Sequence, residues 1–379
     1  MALKEPRIGD PIKFSLYPDF SEVWTLGNPE KVIWSSIKHF CAKEVINHIL
    51  KNTYGISDRK IRSEIHQNVK TYIQQAFEFY EAANVAKPNT APLIYYYSFL
   101  NLAKAICEIK NPSFHKKNES YNHGIRWKPN PNFLVNILTE HVELMQRGRK
   151  GVWHILWGSV INNQGLIAQP LEFQIKELFA LCPEISDEYE RTTAENSKLI
   201  DLINPEILID RINQEIWIKF SVMRDDLISL RLSRSDLIRM ISYGNNSYHQ
   251  VKSPNRDLWT FEFVTPKRYD QQFKGKLYDL LKDELKILNL FTAINDDGIY
   301  YSIPIQTKLP ILLPQLMVLY TLIFWLGSLV RYDPHSVLHL QESEYWILIE
   351  GFMNQSRIWL LELFEWEFYQ WETALKNAR

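Results

Sequence analysis

The sequence is poor in glycine, and it lacks the short motifs of several common enzyme classes. Glycine accounts for 13 of 379 residues, and no GxxxxGKS/T, GxGxxG, HExxH or GxSxG motif is present. These motifs build phosphate loops, zinc sites or exposed serine nucleophiles. Their absence argues against a P-loop NTPase, a dinucleotide enzyme of the usual type and a zincin metalloprotease.

Cysteine is also scarce. Cys41, Cys107 and Cys182 lie far apart and form no CxxC or CxxH pair. A zinc site built on thiolates is therefore not expected, and neither a metal nor a cofactor is predicted. The odd number and wide spacing are typical of free thiols in a reducing compartment. The N-terminal residues MALKEPRIGDPIKF have no apolar run of the secretory type, so the predicted location is the cytoplasm.

The chain has no excess of charge of one sign. Its net charge is -1, so no global field is typical of a nucleic-acid or membrane-surface protein. Locally, residues 110–150 hold eight Lys or Arg against three Glu, interleaved with Phe114, Tyr121 and Trp127. Such a patch can bind RNA or single-stranded DNA through phosphate contacts and stacking, and a solvated loop surface is the alternative. The cations assigned to nucleic-acid binding are Arg126, Lys128, Arg147, Arg149 and Lys150.

One apolar run requires a test for membrane insertion. Residues 309–330, LPILLPQLMVLYTLIFWLGSLV, are 22 residues without a charge, which is long enough to span a bilayer. Pro310 and Pro314 interrupt the start of this run, which leaves a helix of about 17 residues. We expect a buried core helix and no membrane partner, with a membrane anchor as the alternative.

Apolar residues recur with helical periodicity at both ends of the chain, whereas apolar and polar residues alternate in its middle. A helical hairpin is predicted from two segments, DRKIRSEIHQNVKTYIQQAFEFYEAANVA and PLIYYYSFLNLAKAICEIKN. Further helices are predicted across residues 133–147 and about 171–181. EIWIKFSV and LWTFEFV predict strands, and a strand hairpin is predicted to turn at Asp297–Gly298.

The predicted fold is therefore mainly α with an inserted α+β section. An N-terminal helical region covers residues 1–184, a mixed section covers 185–307, and C-terminal helices at 308–379 pack back on the first region. In particular, we expect the apolar helices near 93–110 and 315–330 to share one core, because neither is polar enough to stay solvated.

The stretch LVRYDPHSVLH follows the apolar run and contains the first candidate catalytic residues, Arg331 and His335. A guanidinium binds phosphate oxygens, and a neutral imidazole takes a proton from a ribose hydroxyl. This pair is suited to metal-independent RNA cleavage. The alternative is structural: Arg331 finishes a helix that Pro334 ends, and its charge complements the last carbonyls.

His123 is the third candidate catalytic residue. In YNHGIRWKP it lies next to Gly124 and is followed by Arg126 and Lys128. A loop histidine beside cations can transfer a proton or contact a phosphate. The alternative is a turn in which Gly124 supplies a positive φ angle.

Four segments, APLIYYYSFLNLAKAI, YNHGIRW, RGRKGVWHILW and LGSLVRYDPHSV, occur in that order. Together they resemble the YaaC-like family of bacterial proteins. The hallmark of that family is an apolar helix ending in Arg-Tyr-x-Pro, here Arg331 to Pro334. The resemblance covers about residues 35–375, and it implies no particular reaction.

The N-terminal helix pair and the His-Gly loop are also similar to the HEPN superfamily of small helical, often homodimeric domains. Many of these are metal-independent ribonucleases of toxin and antiphage systems, with an arginine and a histidine separated by four to six residues. Arg331 and His335 have three residues between them, whereas Arg59 and His66 have six. The resemblance implies a HEPN-like helical core built from the N- and C-terminal helices, and the shorter spacing favours a binding or scaffolding version.

These observations predict an RNA-binding or metal-independent RNA-cleaving component of a bacterial stress or antiphage defence system. If the protein is an enzyme, a metal-independent ribonuclease is expected. The expected partners are RNA, a second protein of the same operon and a second copy in a homodimer. The alternative is a non-enzymatic interaction or scaffolding module that dimerises through its helical core.

Overall fold

The computed structural model describes residues 3–12, 14, 28–111, 114, 122–128, 134–145, 151–161, 170–242, 247–270, 280–281, 284–285, 288–295, 298–306 and 308–376. Its helices are α1 (Pro29–His39), α2 (Lys43–Asn52), α3 (Arg59–Val85), α4 (Ala91–Lys110), α5 (Val152–Val160), α6 (Ile175–Phe179), α7 (Ser186–Thr193), α8 (Arg224–Ser229), α9 (Arg234–Ile241), α10 (Gln315–Tyr332), α11 (Pro334–Gln341), α12 (Trp346–Gly351) and α13 (Arg357–Lys376). Its strands are β1 (Asp10–Ile12), β2 (Ile125–Arg126), β3 (His141–Leu144), β4 (Leu171–Gln174), β5 (Leu199–Asp201), β6 (Ile203–Asp210), β7 (Glu215–Met223), β8 (Tyr248–Val251), β9 (Leu258–Phe263), β10 (Lys267–Arg268), β11 (Phe291–Asn295) and β12 (Gly298–Pro304).

The fold is mixed α/β. Helices account for 53% and strands for 18% of the described residues, and these strands form three antiparallel sheets of three to six strands. The predicted fold class, mainly α with one inserted α+β section and a HEPN-like helical core, is therefore wrong.

Two strands inside predicted helices explain part of that error. The helix predicted across 133–147 contains β3, and the one predicted at about 171–181 begins with β4. In β3, buried Val142 and Leu144 alternate with exposed His141 and half-buried Glu143. This period of two is the period of a strand with one face covered, and it extends over too few residues to stand out in the sequence.

The contacts divide the chain into two units. The sheet unit comprises residues 1–19 and 195–305, and the helical unit comprises residues 20–194 and 306–379. The sequence prediction had instead three segments, with limits at 184 and 307.

In the sheet unit, a six-stranded sheet has the order β1-β6-β7-β9-β8, and β10 pairs with β7. The predicted strands EIWIKFSV and LWTFEFV are confirmed as β7 and β9. Phe220 and Phe261 face each other across these strands and are fully buried. They belong to an apolar core that also includes Leu227 of α8 and Leu237 of α9.

A three-stranded sheet in the same unit has the order β11-β12-β5. The predicted hairpin is confirmed by the antiparallel pairing of β11 and β12. Gly298 lies in β12 and pairs with Asn295. Asp297, the other residue of the predicted turn, lies outside the described part of the chain.

In the helical unit, the predicted hairpin is confirmed as α3 and α4, which pack against each other. Asp58 caps α3: its Oδ1 accepts the backbone N–H groups of Lys60 at 2.7 Å and Ile61 at 3.3 Å. The helix α4 also packs against α10 and α13. The expectation that the helices near 93–110 and 315–330 share one core is therefore confirmed.

The helix α10 is the one helix among the described residues that is long and apolar enough to cross a membrane. Within it, 83% of the 18-residue window is buried inside the protein, and Gln315 to Leu329 are all buried. This burial matches the expected core helix.

Candidate functional site

A cleft of about 440 Å³ in the helical unit joins α4, the segment around β2 and the end of α10. Three cationic side chains and one imidazole line it: Arg126, Lys128, Arg331 and His123. Its larger aromatic lining residues are Tyr96, Tyr97, Trp127, Phe324 and Tyr332. The cleft thus brings together four of the residues predicted from two distant stretches of sequence.

A close crossing of α4 and α10 positions Arg331. A Cβ atom added at Gly327 would lie 2.9 Å from Tyr96 Cβ, so the glycine allows the two helices to approach. Arg331 follows one turn later on the same face of α10. Its Nη1 donates a hydrogen bond to the Tyr97 hydroxyl at 3.1 Å, and its guanidinium lies 5.1 Å from the ring centroid of Tyr332.

No carboxylate and no backbone carbonyl in the described part of the chain pairs with Arg331. The side chain therefore bonds none of the last carbonyls of its helix among the described residues, although it stands in the last turn of α10, where its charge complements the helix dipole. One hydrogen bond to Tyr97 leaves the other N–H donors of the guanidinium without an acceptor in the described part of the chain.

The Arg-Tyr-x-Pro element is a junction between two helices. Asp333 leaves the helical conformation with φ -144° and ψ 66°, and its carboxylate accepts from the Ser336 N–H at 3.2 Å and the Ser336 hydroxyl at 2.6 Å. Pro334 therefore begins α11, where its missing N–H costs little. His335 is exposed on α11 and does not line the cleft. The structure thus places His123, and not His335, in the cleft with Arg331.

The loop that carries His123 is fixed to the first turn of α5. The carbonyls of Asn122 and His123 accept the N–H groups of Val152 at 2.9 Å and Trp153 at 3.0 Å, which satisfies donors that a helix start leaves unpaired. Gly151 lies so close to this loop that an added Cβ would collide with the Asn122 carbonyl.

Gly124 has φ +81°, a conformation that favours glycine, and a Cβ added there would lie 2.6 Å from Nδ1 of His154. The YNHG and GVWH segments therefore meet because each contributes a glycine at their contact.

The protonation state of His123 follows from its surroundings. The hydroxyl of Tyr96 hydrogen-bonds to Nδ1 of His123, and burial raises the pKa of Tyr96 well above 10. Burial, followed by the charges of Lys104 and Arg331, lowers the pKa of His123 to about 4. The imidazole is therefore neutral at pH 7 and carries one proton. Its hydrogen bond with the phenol is compatible with either tautomer, since a hydroxyl both donates and accepts. No hydrogen bond joins Nε2 to a described residue, so this nitrogen is open to a ligand.

Arg126 and Lys128 line the cleft from β2 and the residues directly after it. Arg126 faces Glu143 across β2 and β3, and the two side chains form an ion pair. Lys128 is exposed and has no partner in the described part of the chain. The other predicted nucleic-acid-binding cations, Arg147, Arg149 and Lys150, lie outside the described residues.

The second Arg–His pair of the sequence does not form a site. Arg59 is exposed at the start of α3. His66 is buried, and its Nε2 bonds to the carbonyl of Cys41 at 2.9 Å.

One group of side chains has the composition of a metal site. His141, Glu143 and Glu172 each offer a ligand atom, and these atoms lie within 4.8 Å of one another. Glu143 already pairs with Arg126, so a cation at this position would compete with a guanidinium for the same carboxylate.

Sequence reasoning missed Tyr97 and Lys104 as residues near the site. They lie seven residues apart, two turns, on one face of α4, and both are only half-buried on a helix whose other residues are mostly buried. This spacing of polar groups on an apolar helix was the available signal. The partner of Arg126, Glu143, was missed because the strand pairing of β2 and β3 was not predicted.

The fold and the cleft define a class: mixed α/β proteins in which the Arg-Tyr-x-Pro end of a buried helix borders a cationic, aromatic-lined cleft. The model of the YaaC-like Protein family matches residues 38–367, which is most of the chain. The protein belongs to the YaaC-like family. No match is found among curated proteins or solved structures, and the resemblance to the HEPN superfamily has no counterpart in these comparisons.

Proposed function

We propose that the cleft binds RNA and does not cut it. The observation that carries this proposal is the placement of Arg331, His123 and Lys128 around one aromatic-lined cleft, with hydrogen-bond donors that no described carboxylate satisfies. Arginine and lysine contact phosphates, and aromatic rings stack on bases. Both groups occur here within one site.

The position of the histidines supports binding over cleavage. Metal-independent cleavage needs a base that accepts the proton of the 2′-hydroxyl. His335 does not line the cleft, and the Tyr96 hydroxyl is hydrogen-bonded to Nδ1 of His123. The tautomer that belongs to this proposal has Nδ1 accepting from the phenol and the proton on Nε2. An imidazole in this state donates to a phosphate oxygen and takes no proton from a ribose.

Fluorescence anisotropy tests the proposal. The probe is a single-stranded RNA of about ten nucleotides, within the span that single-strand-binding domains cover, with a fluorophore inside the chain and a phosphate at each end. Arg331→Ala is expected to weaken binding about 10- to 100-fold, because a hydrogen bond to a charged group contributes about 1.5–3 kcal/mol. Arg331→Lys keeps the charge but loses the bidentate fork, so an intermediate loss with an unchanged melting temperature is expected.

Arg191→Ala is the matched control. It removes the same charge from an 82% exposed side chain on α7 of the same unit, away from the cleft, and it should leave the Kd within about twofold. Equal losses of RNA affinity in the two variants would indicate a general charge effect and refute the cleft as the RNA-binding site. The same RNA, incubated with EDTA and run on a denaturing gel, should keep its length. Cleavage that Arg331→Ala abolishes would favour the ribonuclease instead.

The role in stress or antiphage defence, the operon partner, the homodimer and the cytoplasmic location remain predictions. The dimer is open to sedimentation of the purified protein, in which a mass near twice 44.9 kDa would be found.

A further inference from the structure

The cleft is small for a groove that follows a nucleic-acid chain. Its volume of about 440 Å³ falls within the range of about 300–1,000 Å³ that is typical of small-molecule pockets. Single-strand-binding domains that follow the backbone cover about 4–16 nucleotides. The cleft formed by the described residues therefore fits one end of an RNA better than a run of its backbone.

The charge of the cleft exceeds what one internal nucleotide brings. Arg126, Lys128 and Arg331 line it, and no carboxylate does so among the described residues. An internal nucleotide contributes one phosphodiester charge. A terminal phosphomonoester carries about -1.5 to -2 at pH 7 and presents three strong acceptor oxygens. A terminal phosphate therefore matches the cations of the cleft better than an internal one.

The donors come from two parts of the chain. Arg331, at the end of α10 and bonded to Tyr97, offers the remaining N–H groups of its fork. In the tautomer proposed above His123 offers its Nε2–H, and Lys128 is exposed just after β2. Arg126 has its charge partly matched by Glu143, so the donors with unmet capacity are the other three.

We infer that the cleft recognises the terminal phosphomonoester of an RNA, with Arg331 and Lys128 on its oxygens and the Nε2–H of His123 donating to one of them. This inference rests on the proposed RNA binding. It names the part of the RNA that enters the cleft, and both the 5′ and the 3′ phosphate have the required chemistry.

The test uses three RNAs of one sequence, each with the same internal fluorophore. One has a 5′-phosphate, one has a 3′-phosphate, and one has hydroxyls at both ends. Anisotropy titrations with the full-length protein should give a Kd about 10- to 100-fold lower for one phosphorylated RNA than for the hydroxyl-ended RNA. The better of the two phosphorylated RNAs identifies the end.

Variants connect that preference to the cleft. The Kd of the hydroxyl-ended RNA divided by that of the preferred phosphorylated RNA measures the preference. Arg331→Ala and Lys128→Ala should each reduce this ratio towards one, whereas Arg191→Ala should preserve it. Lys128 is exposed and has no described partner, so its variant is expected to fold even if the arginine variant does not.

The possible failures are distinguishable. Equal affinity for all three RNAs, weakened equally by Arg331→Ala, would overturn the terminal-phosphate inference and leave RNA binding in place. Binding of adenosine monophosphate with no binding of any RNA would overturn the proposed RNA function and leave phosphomonoester recognition. The absence of binding to every probe would overturn both.

Discussion

Arg331 and Arg357 both donate to a tyrosine of α4, and their other contacts differ. Arg357 bonds the Tyr95 hydroxyl at 2.7 Å and Asn84 Oδ1 at 2.5 Å, and it forms an ion pair with Glu30 at 3.3 Å. Arg331 bonds the Tyr97 hydroxyl and has no carboxylate partner among the described residues. The first arginine joins α1, α3, α4 and α13, whereas the second presents unused donors to a cleft. The number of partners, and not the residue type, separates the structural Arg357 from Arg331, for which we propose a binding role.

The largest expected effect of replacing either arginine is on the stability of the fold. Arg357→Ala leaves Glu30, Asn84 and Tyr95 without their shared donor, so we expect the free energy of unfolding to fall by about 2–3 kcal/mol. Arg331→Ala should cost less than about 1 kcal/mol, because its side chain is exposed and has one neutral partner. Urea denaturation of both variants measures the difference. Equal losses of unfolding free energy would show that the two arginines contribute equally to stability.

The two tyrosines provide a finer comparison. Tyr95→Phe removes a hydroxyl that bonds both Asn84 and Arg357, so a loss of about 1–2 kcal/mol in unfolding free energy is expected, with RNA affinity unchanged. Tyr97→Phe should leave stability unchanged and weaken RNA binding about 3- to 10-fold, since the guanidinium loses the group that orients it. Thermal melting and anisotropy on the same preparations check both effects. A loss of RNA affinity in Tyr95→Phe together with a loss of stability in Tyr97→Phe would contradict the comparison.

The smallest expected effect is on the pKa of His123. Burial, and then the charges of Lys104 and Arg331, hold this pKa at about 4. In Arg331→Ala the pKa should rise but stay below the ordinary value of about 6.5, because burial remains. In Arg357→Ala it should not move, since that arginine is not among the causes. NMR titration of the imidazole protons measures all three proteins, and an unchanged pKa in Arg331→Ala would place the guanidinium too far from the ring.

The depressed pKa of His123 also makes the stability of the fold depend on pH. Between pH 4 and 6.5 the unfolded chain binds more protons at His123 than the folded chain does. The contribution of the neutral imidazole is therefore complete above about pH 6.5 and is lost as the pH falls towards 4. The free energy of unfolding of wild type and of His123→Gln, measured from pH 4 to 6.5, isolates that contribution.

Sequence reasoning found the long periodic elements and missed the short ones. The helices α3, α4 and α10 and the strands β7 and β9 span many residues, so their periodicity was readable. The strands β3 and β4 have four residues each, and their pairing depends on contacts between distant parts of the chain. The fold class was wrong for this reason.

Part of the lining of the candidate cleft could be predicted, because its cations stand in or beside polar stretches of sequence. Arg331, His123, Arg126 and Lys128 were selected by residue type and neighbours, and the structure places all four around one cleft. His335 was selected by proximity in sequence to Arg331, but the helix boundary at Asp333 turns the chain between them. Proximity in sequence is a poor guide across a helix junction, because two residues on successive helices face in unrelated directions.

The attachment of the His123 loop to α5 has a consequence for how tightly the cleft can bind. The two carbonyls before and at His123 are already bonded to the start of a helix, and Trp153 of that helix donates to Thr321 of α10 at 2.9 Å. The imidazole is therefore held in place before a ligand arrives. A loop that orders only on binding loses conformational entropy at that step, at about 0.5–1.5 kcal/mol for each immobilised side chain. In this protein that entropy is lost when the chain folds, so more of the contact energy of the ligand appears as affinity.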